Sequence, residues 1–222
     1  MGRFDMKNKY DIVVFDLDGT LLDTTEGVIA AVKYTIKEMN FKMLDNEMLS
    51  TFIGPPIQNS FAKAYGLEGE ILQEIATIFR QRYKNFELLK AVPYDGIFEL
   101  LERLKRRKII VAVATYKRED YAITLLNHFG FTNYTDIIHG ADHGNRLKKE
   151  DIIMQCIQEA GVKDNNRVLM VGDTIYDAEG AEKIKLDFLG VLYGFGFKGN
   201  GDLSSITNIG AVKNPLEIIG FV

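Results

Sequence analysis

The chain has a single cysteine, Cys156, in 222 residues, so an intrachain disulfide is excluded and the fold must rest on its core. That usage suits a reducing compartment. Ile152, Ile153, Ile157 and Ala160 flank Cys156 at helical spacing, which predicts that the thiol packs in the interior. No apolar run reaches the roughly 18 residues that a transmembrane helix needs. The longest such run, Ile109 to Ala114, has the length of a strand. The first residues, Met1-Gly2-Arg3-Phe4-Asp5-Met6-Lys7, lack an apolar signal core and lack the Ser or Thr of a myristoylation motif. The expected location is cytoplasmic. Internal repeats and low-complexity stretches are absent. So is any excess of positive charge: 27 Lys+Arg stand against 31 Asp+Glu, a net charge of -4. The chain therefore has no global attraction for nucleic acid or for an anionic membrane, and an anionic ligand must be met by a local site.

What is present fits a globular enzyme, with 46% hydrophobic and 26% charged residues. The length allows one good-sized core and a small second unit. Asp11 to Phe15 reads as a buried strand that ends in Asp16-Leu17-Asp18-Gly19-Thr20. Residues 23–90 then show helical patterns only. Val28, Ala31, Val32 and Ile36 form one stripe; Ile71, Ile75, Ile78, Phe79 and Arg82 form a less regular one. Gly54-Pro55-Pro56 interrupts them and is placed to open a helix.

After residue 91 strands and helices alternate. Ile97, Leu100, Leu101 and Leu104 predict a helix, Ile109–Ala114 a strand, Glu119–Phe129 a helix, and Asp136–His139 a short strand. Lys149–Ala160 predicts a helix closed by Gly161, Val168–Val171 a strand, Tyr176–Lys185 a helix, and Phe188–Leu192 a strand. Ala211–Phe221 adds a short strand and helix. Such alternation predicts an α/β fold with a parallel sheet covered on both faces. The expected division is a core of residues 1–22 and 91–222 with residues 23–90 inserted as a helical cap that could act as a lid.

Ligands of parallel α/β sheets gather at the carboxyl ends of the strands. Those ends carry Asp16 and Asp18, then Thr115-Tyr116-Lys117, then Lys148-Lys149 after a loop, then Gly172-Asp173-Thr174-Ile175-Tyr176-Asp177. Clustered carboxylates repel one another unless a cation joins them, and hard oxygen ligands suit Mg²⁺. A metal on Asp16 and Asp173 would neutralise and orient a phosphate. Asp16 could attack phosphorus, and Asp18 could protonate the leaving oxygen and later take a proton from water. Thr115 and a lysine would hold the phosphoryl oxygens.

Asp16-Leu17-Asp18-Gly19-Thr20 resembles the first motif of the haloacid dehalogenase superfamily, and Thr115, Lys149 and Gly172 to Asp177 stand in the order of its other three motifs. The resemblance covers nearly the whole chain. It implies a Rossmann-like core with a helical cap inserted after the first motif. It also implies Asp16 as nucleophile, Asp18 as acid/base, and Mg²⁺ on Asp16, the Asp18 carbonyl and Asp173, with Asp177 in the outer shell. Paired aspartates in the first motif imply phosphoryl transfer. Ile53-Gly54-Pro55-Pro56 and Gly190 to Gly196 resemble the phosphoglycolate phosphatase-like branch. Tyr116 departs from the Asn or Ser frequent after the second-motif hydroxyl, which puts substrate specificity in question. The expected substrate contacts are Leu17, Asp18, Thr115, Tyr116 and Lys149, and Lys149 fits the third motif better than Lys148.

The expectation is a hydrolase of small phosphomonoesters, of phosphoglycolate or nucleotide type, acting as a monomer or homodimer. A phosphosugar mutase shares this chemistry. A phospho-receiver domain also combines acids, a Thr and a Lys, but lacks the long helical insertion. Asp173 and Asp177 also suit a plain helix N-terminus. His139 and His143 are four apart, yet Gly140 and Gly144 argue against a helical metal pair.

Overall fold

The computed structural model describes residues 8–142 and 146–222. The N-terminal segment read above for a signal core, and His143 with Gly144, lie outside them. The elements run β1 (Ile12–Phe15), β2 (Leu22–Asp23), α1 (Thr25–Glu38), α2 (Asn46–Ser50), α3 (Ile57–Tyr65), α4 (Ile71–Arg82) and β3 (Val92–Pro93), then α5 (Ile97–Arg106), β4 (Ile110–Arg118), α6 (Glu119–His128) and β5 (Ile138–Ala141). They continue with α7 (Lys149–Ala160), β6 (Val168–Gly172), α8 (Ile175–Lys183), β7 (Asp187–Val191) and β8 (Gly210–Val212). Six strands form one sheet in the order β5-β4-β1-β6-β7-β8, and every pairing is parallel.

Alternation along β1 explains why both faces are covered. Val13 and Phe15 join Leu100 and Leu101 of α5 and Leu125 of α6 in one apolar cluster. Ile12 and Val14 join Ile152, Ile153 and Cys156 of α7 and Ala178 of α8 in another. All four β1 residues are inaccessible to solvent, as expected of a strand buried between two helical layers. Cys156 packs as expected: its thiol donates to the Val113 carbonyl at 3.3 Å, and burial pushes it up to about 12.

Between β2 and β3 the described chain is helical. Asp45 caps α2 by accepting from the Met48 N–H at 2.8 Å. α3 begins directly after Pro55-Pro56 and ends on Gly66 at φ 65°, the left-handed conformation that glycine adopts without strain. α4 runs into a π-helical turn, Tyr83–Glu87. The buried Glu87 carboxylate there pairs with Arg82 at 2.5 Å and Lys90 at 2.8 Å.

Four local features differ from the sequence expectations. The two passages between sheet and helices form a small antiparallel ribbon, Leu22 opposite Pro93 and Asp23 opposite Val92; two residues per strand are too few for a periodic signal. β4 runs on past Ala114 to Arg118 through an irregularity in its pairing with β5. β5 starts two residues later than expected, because Thr135 makes a local turn: its hydroxyl donates to Val111 and accepts from the Ile137 N–H. The C-terminal helix is a 3-10 turn, Pro215–Gly220, rather than an α-helix.

Candidate active site

The strand order sets β1 between β4 and β6, so their carboxyl ends bring Asp16, Thr115 and Asp173 to one edge. The Asp16 N–H continues the sheet by donating to Val171 at 2.9 Å. The first turn of α7 delivers Lys149, whose side chain is only 2% exposed. Its ammonium lies 2.7 Å from Asp16 Oδ1 and 2.7 Å from Asp177 Oδ1. Asp16, Asp18, Thr115, Tyr116 and Lys149 line one small cavity, together with Gly54 from the helical region and Thr174 and Tyr176 from the start of α8.

Oxygens of Asp16, Asp173 and Asp177 lie within 4.8 Å of one another, all on buried residues. Burial raises Asp16 well above the ordinary carboxylate range; Lys149 opposes that rise, while Asp177 and Asp173 add to it. Asp173 is pushed up to about 7, first by burial and then by Asp177. Its Oδ2 accepts from the N–H groups of Phe195 and Gly196 at 2.7 and 3.0 Å. Its Oδ1 is buried with no hydrogen-bond partner among the described residues. An orphaned carboxylate oxygen beside two other carboxylates fits a hard divalent cation such as Mg²⁺.

The glycines around Asp173 account for part of the Gly190–Gly196 pattern. A Cβ on Gly194 would lie 2.5 Å from Asp173 Oδ2 and 2.3 Å from the Gly19 carbonyl. Gly19 has φ 83°, and its own Cβ would meet the same carboxylate at 2.2 Å. Only backbone fits so close to that oxygen.

Asp18 is held differently. Its Oδ1 accepts from Thr24 Oγ1 at 2.6 Å and pairs with Lys117 Nζ at 3.1 Å. Its Oδ2 makes no hydrogen bond with a described residue. Lys117, 7% exposed, also donates to the Tyr83 hydroxyl at 3.0 Å. Tyr83 belongs to the π-helical turn, so one ammonium ties the end of α4 to Asp18.

The remaining expected residues separate clearly. Asp177 serves the helix N-terminus weighed for it, where Oδ2 accepts from the Thr174 N–H and hydroxyl at the start of α8, and its Oδ1 faces Lys149. Lys148 is exposed, whereas Lys149 is buried in the site. The Leu17 side chain is fully buried in the apolar cluster, so a substrate contact there falls to its backbone alone. The Tyr116 hydroxyl accepts from the Lys149 N–H at 3.0 Å, and its ring meets Tyr176 edge-on. His139 lies apart, 2.7 Å from Glu159.

The sequence reading set Lys117 at a strand end without giving it a role, and passed over Tyr83. Lys117 carried a usable signal, since it stands two residues after Thr115 on a strand and shares its face. Tyr83 carried none: no spacing rule connects residue 83 to residue 18.

A catalytic edge of this kind, on a parallel sheet with helices between its first two passages, defines a class. The chain belongs to the haloacid dehalogenase-like hydrolases, whose family model matches residues 13–191. It is 34% identical over 193 residues to a 5'-nucleotidase of Pseudomonas aeruginosa, covering 86% of this chain and 87% of that protein. It is 30% identical to a phosphoglycolate phosphatase of Agrobacterium fabrum, with 83% and 81% covered. The tyrosine-protein kinase PtkA of Mycobacterium tuberculosis is also 30% identical, with 94% and 72% covered. Among solved structures, a haloacid dehalogenase-like family hydrolase from Streptococcus pneumoniae superposes with a TM-score of 0.88 at 28% identity, covering 96% of this chain and 98% of that one.

Proposed function

We propose that this protein is a Mg²⁺-dependent phosphatase of small phosphomonoesters in which Asp16 is the nucleophile. One observation carries the reading: a buried lysine, Lys149, bridges Asp16 and Asp177 beside an Asp173 oxygen that has no hydrogen-bond partner among the described residues. An ammonium and a cation site flanking one carboxylate is an arrangement for receiving a dianion. Relatives named for the hydrolysis of nucleotides and of phosphoglycolate agree with it.

Asp16, Asp173 and the Asp18 carbonyl would hold Mg²⁺, with Asp177 behind them. The ion would supply charge neutralisation for the bound phosphoryl group. The other steps belong to the chain's own residues. Lys149 and Thr115 line the cavity and hold phosphoryl oxygens. A carboxylate oxygen of Asp16 bonds to phosphorus as the bond to the leaving oxygen breaks, and protonated Asp18 gives that oxygen its proton. Water then attacks the aspartyl phosphate and Asp18 takes its proton, so inorganic phosphate leaves and both side chains return to their starting state. Oδ2 is the Asp18 atom available for this, since Oδ1 is engaged by Thr24 and Lys117. The helical segment 23–90 acts as the cap over this cavity, with Gly54 brought to its wall.

The test is phosphate release from a panel of phosphomonoesters with Mg²⁺. EDTA silences release, Mg²⁺ restores it, and free phosphate matches ester consumed. Isomerised product without free phosphate would replace this reading with a mutase.

A further inference from the structure

A larger cleft adjoins the small cavity at Asp18 and runs between the helical segment and the sheet edge. Phe79, Arg80, Tyr83, Lys117, Arg118 and Tyr121 are among its lining residues. Three of these six are cations, and two are already matched. Lys117 is held by Asp18 and Tyr83. Arg118 makes paired bonds to Asp120 at 2.9 and 2.6 Å, and its guanidinium lies 4.3 Å from the Tyr121 ring centre.

Arg80 is different. It stands half-buried in the last turn of α4 and makes no hydrogen bond or ion pair with a described residue. Burial first, and the like charge of Arg118 second, hold its guanidinium below the ordinary range, with Tyr121 opposing. A guanidinium does not relieve such a cost by losing its proton near neutral pH. An anion arriving in the cleft would relieve it, and could accept two parallel N–H bonds.

Asp18 serves the leaving oxygen in the reading above, on which this inference rests, so what enters the larger cleft is the leaving alcohol. We propose that Arg80 recognises a second anionic group on that alcohol. The substrate class is then a phosphomonoester bearing a carboxylate or a further phosphate, and the rings of Phe79, Tyr83 and Tyr121 flank the carbon between them. A nucleoside monophosphate, whose leaving group is uncharged, falls outside this class.

Binding decides it without turnover. Phosphonoacetate and ethylphosphonate are non-hydrolysable and differ by one carboxylate; propane-1,3-bisphosphonate and propylphosphonate give the same contrast for phosphate. Calorimetric titration of the full chain with Mg²⁺ is expected to show about 10-fold or tighter binding of the anion-bearing member of at least one pair. The pair that shows it identifies the anion. Arg80→Gln removes the preference, and Arg80→Lys restores part of it. Turnover of 2-phosphoglycolate against ethyl phosphate repeats the test: the ratio of kcat/KM falls about 10-fold in Arg80→Gln, chiefly through KM. Equal affinities within both pairs, a preference that survives Arg80→Gln, or a wild-type preference for nucleoside monophosphates overturns the proposal. If no ester is hydrolysed but the binding contrast depends on Arg80, the phosphatase reading and the leaving-alcohol assignment fail, and only the anion site at Arg80 stands.

Discussion

The two walls of the cleft are built on opposite terms. On the sheet side the buried ammonium groups meet opposite charges at close range: Lys149 at 2.7 Å from two carboxylates, Lys117 at 3.1 Å from one. On the helical side the wall is mostly apolar, with the rings of Phe52, Phe79 and Tyr83 in it and Arg80, unmatched among the described residues, beside them. Matched buried charges fix geometry, because displacing either partner strands the other. Rings and one waiting cation fix much less, so that wall can be changed to suit a different alcohol. On the proposed reading, chemistry and selectivity are separated by side of the cleft, and substitutions should sort the same way.

The largest effect belongs to the sheet side. Asp16→Asn keeps the shape of the side chain and removes its nucleophilic charge, and turnover should fall by about 10³-fold or more. Circular dichroism should stay that of the wild type. Activity within a few-fold of wild type would take the nucleophile role from Asp16 and erase the contrast between the walls. Asp18→Asn comes next, at about 10²- to 10⁴-fold. Its signature is dependence on the alcohol: alkyl phosphates, with poor leaving groups, suffer more than p-nitrophenyl phosphate. A uniform loss would mean that Asp18 only shapes the site.

Stability gives a third way to sharpen the comparison. Burial and then Asp177 push Asp173 up to about 7, so between roughly pH 4 and 7 the folded protein holds a proton that the unfolded chain has released. The stability of the metal-free protein therefore declines as pH rises through that window. The raised Asp16 acts in the same direction. Mg²⁺ offsets the cost only where the carboxylates are ionised. Thermal melts should show Mg²⁺ raising Tm more at pH 8 than at pH 5. Equal shifts at both values would place the ion elsewhere.

The same division explains what could be read from the sequence. Asp16, Thr115 and Asp173 lie at or near strand ends and Lys149 opens the helix that follows β5, and a parallel sheet gathers strand ends whatever the loops do. Their meeting follows from strand–helix alternation, which local periodicity reports well. The Lys149 over Lys148 choice rested on the resemblance of the run from Lys149 to the family's third motif, and helix geometry separates the two: Lys149, the first residue of α7, is buried, while Lys148 just before it is exposed. The helical wall had no such rule. Tyr83 reaches Lys117 only because α4 ends in a π-helical turn that α1 packs against, a product of tertiary packing between residues far apart in the chain. Likewise Phe195 and Gly196 support Asp173 through backbone N–H groups, which no side-chain pattern records.

The smallest predicted effect tests the bond from Lys117 to Tyr83, which ties one wall to the other. Tyr83→Phe deletes the oxygen that accepts from Lys117 at 3.0 Å and little else. The ring keeps its stack on Phe79, 5.6 Å between centres, and its edge contact with Tyr121 at 6.0 Å. Lys117 keeps its place 4.7 Å from the ring centre and its pairing with Asp18. Losing one hydrogen bond to a buried ammonium should cost about 1 to 3 kcal/mol, visible as a lower Tm. If the bond also steadies Asp18, kcat should fall several-fold for alkyl phosphates and less for p-nitrophenyl phosphate, because only the poor leaving group depends on prompt protonation. A lower Tm with an unchanged ratio between the two esters would make Tyr83 a packing residue with a satisfied hydroxyl. An altered ratio would make the helical wall a participant in placing the acid, so the separation between the walls would hold for charge but not for motion.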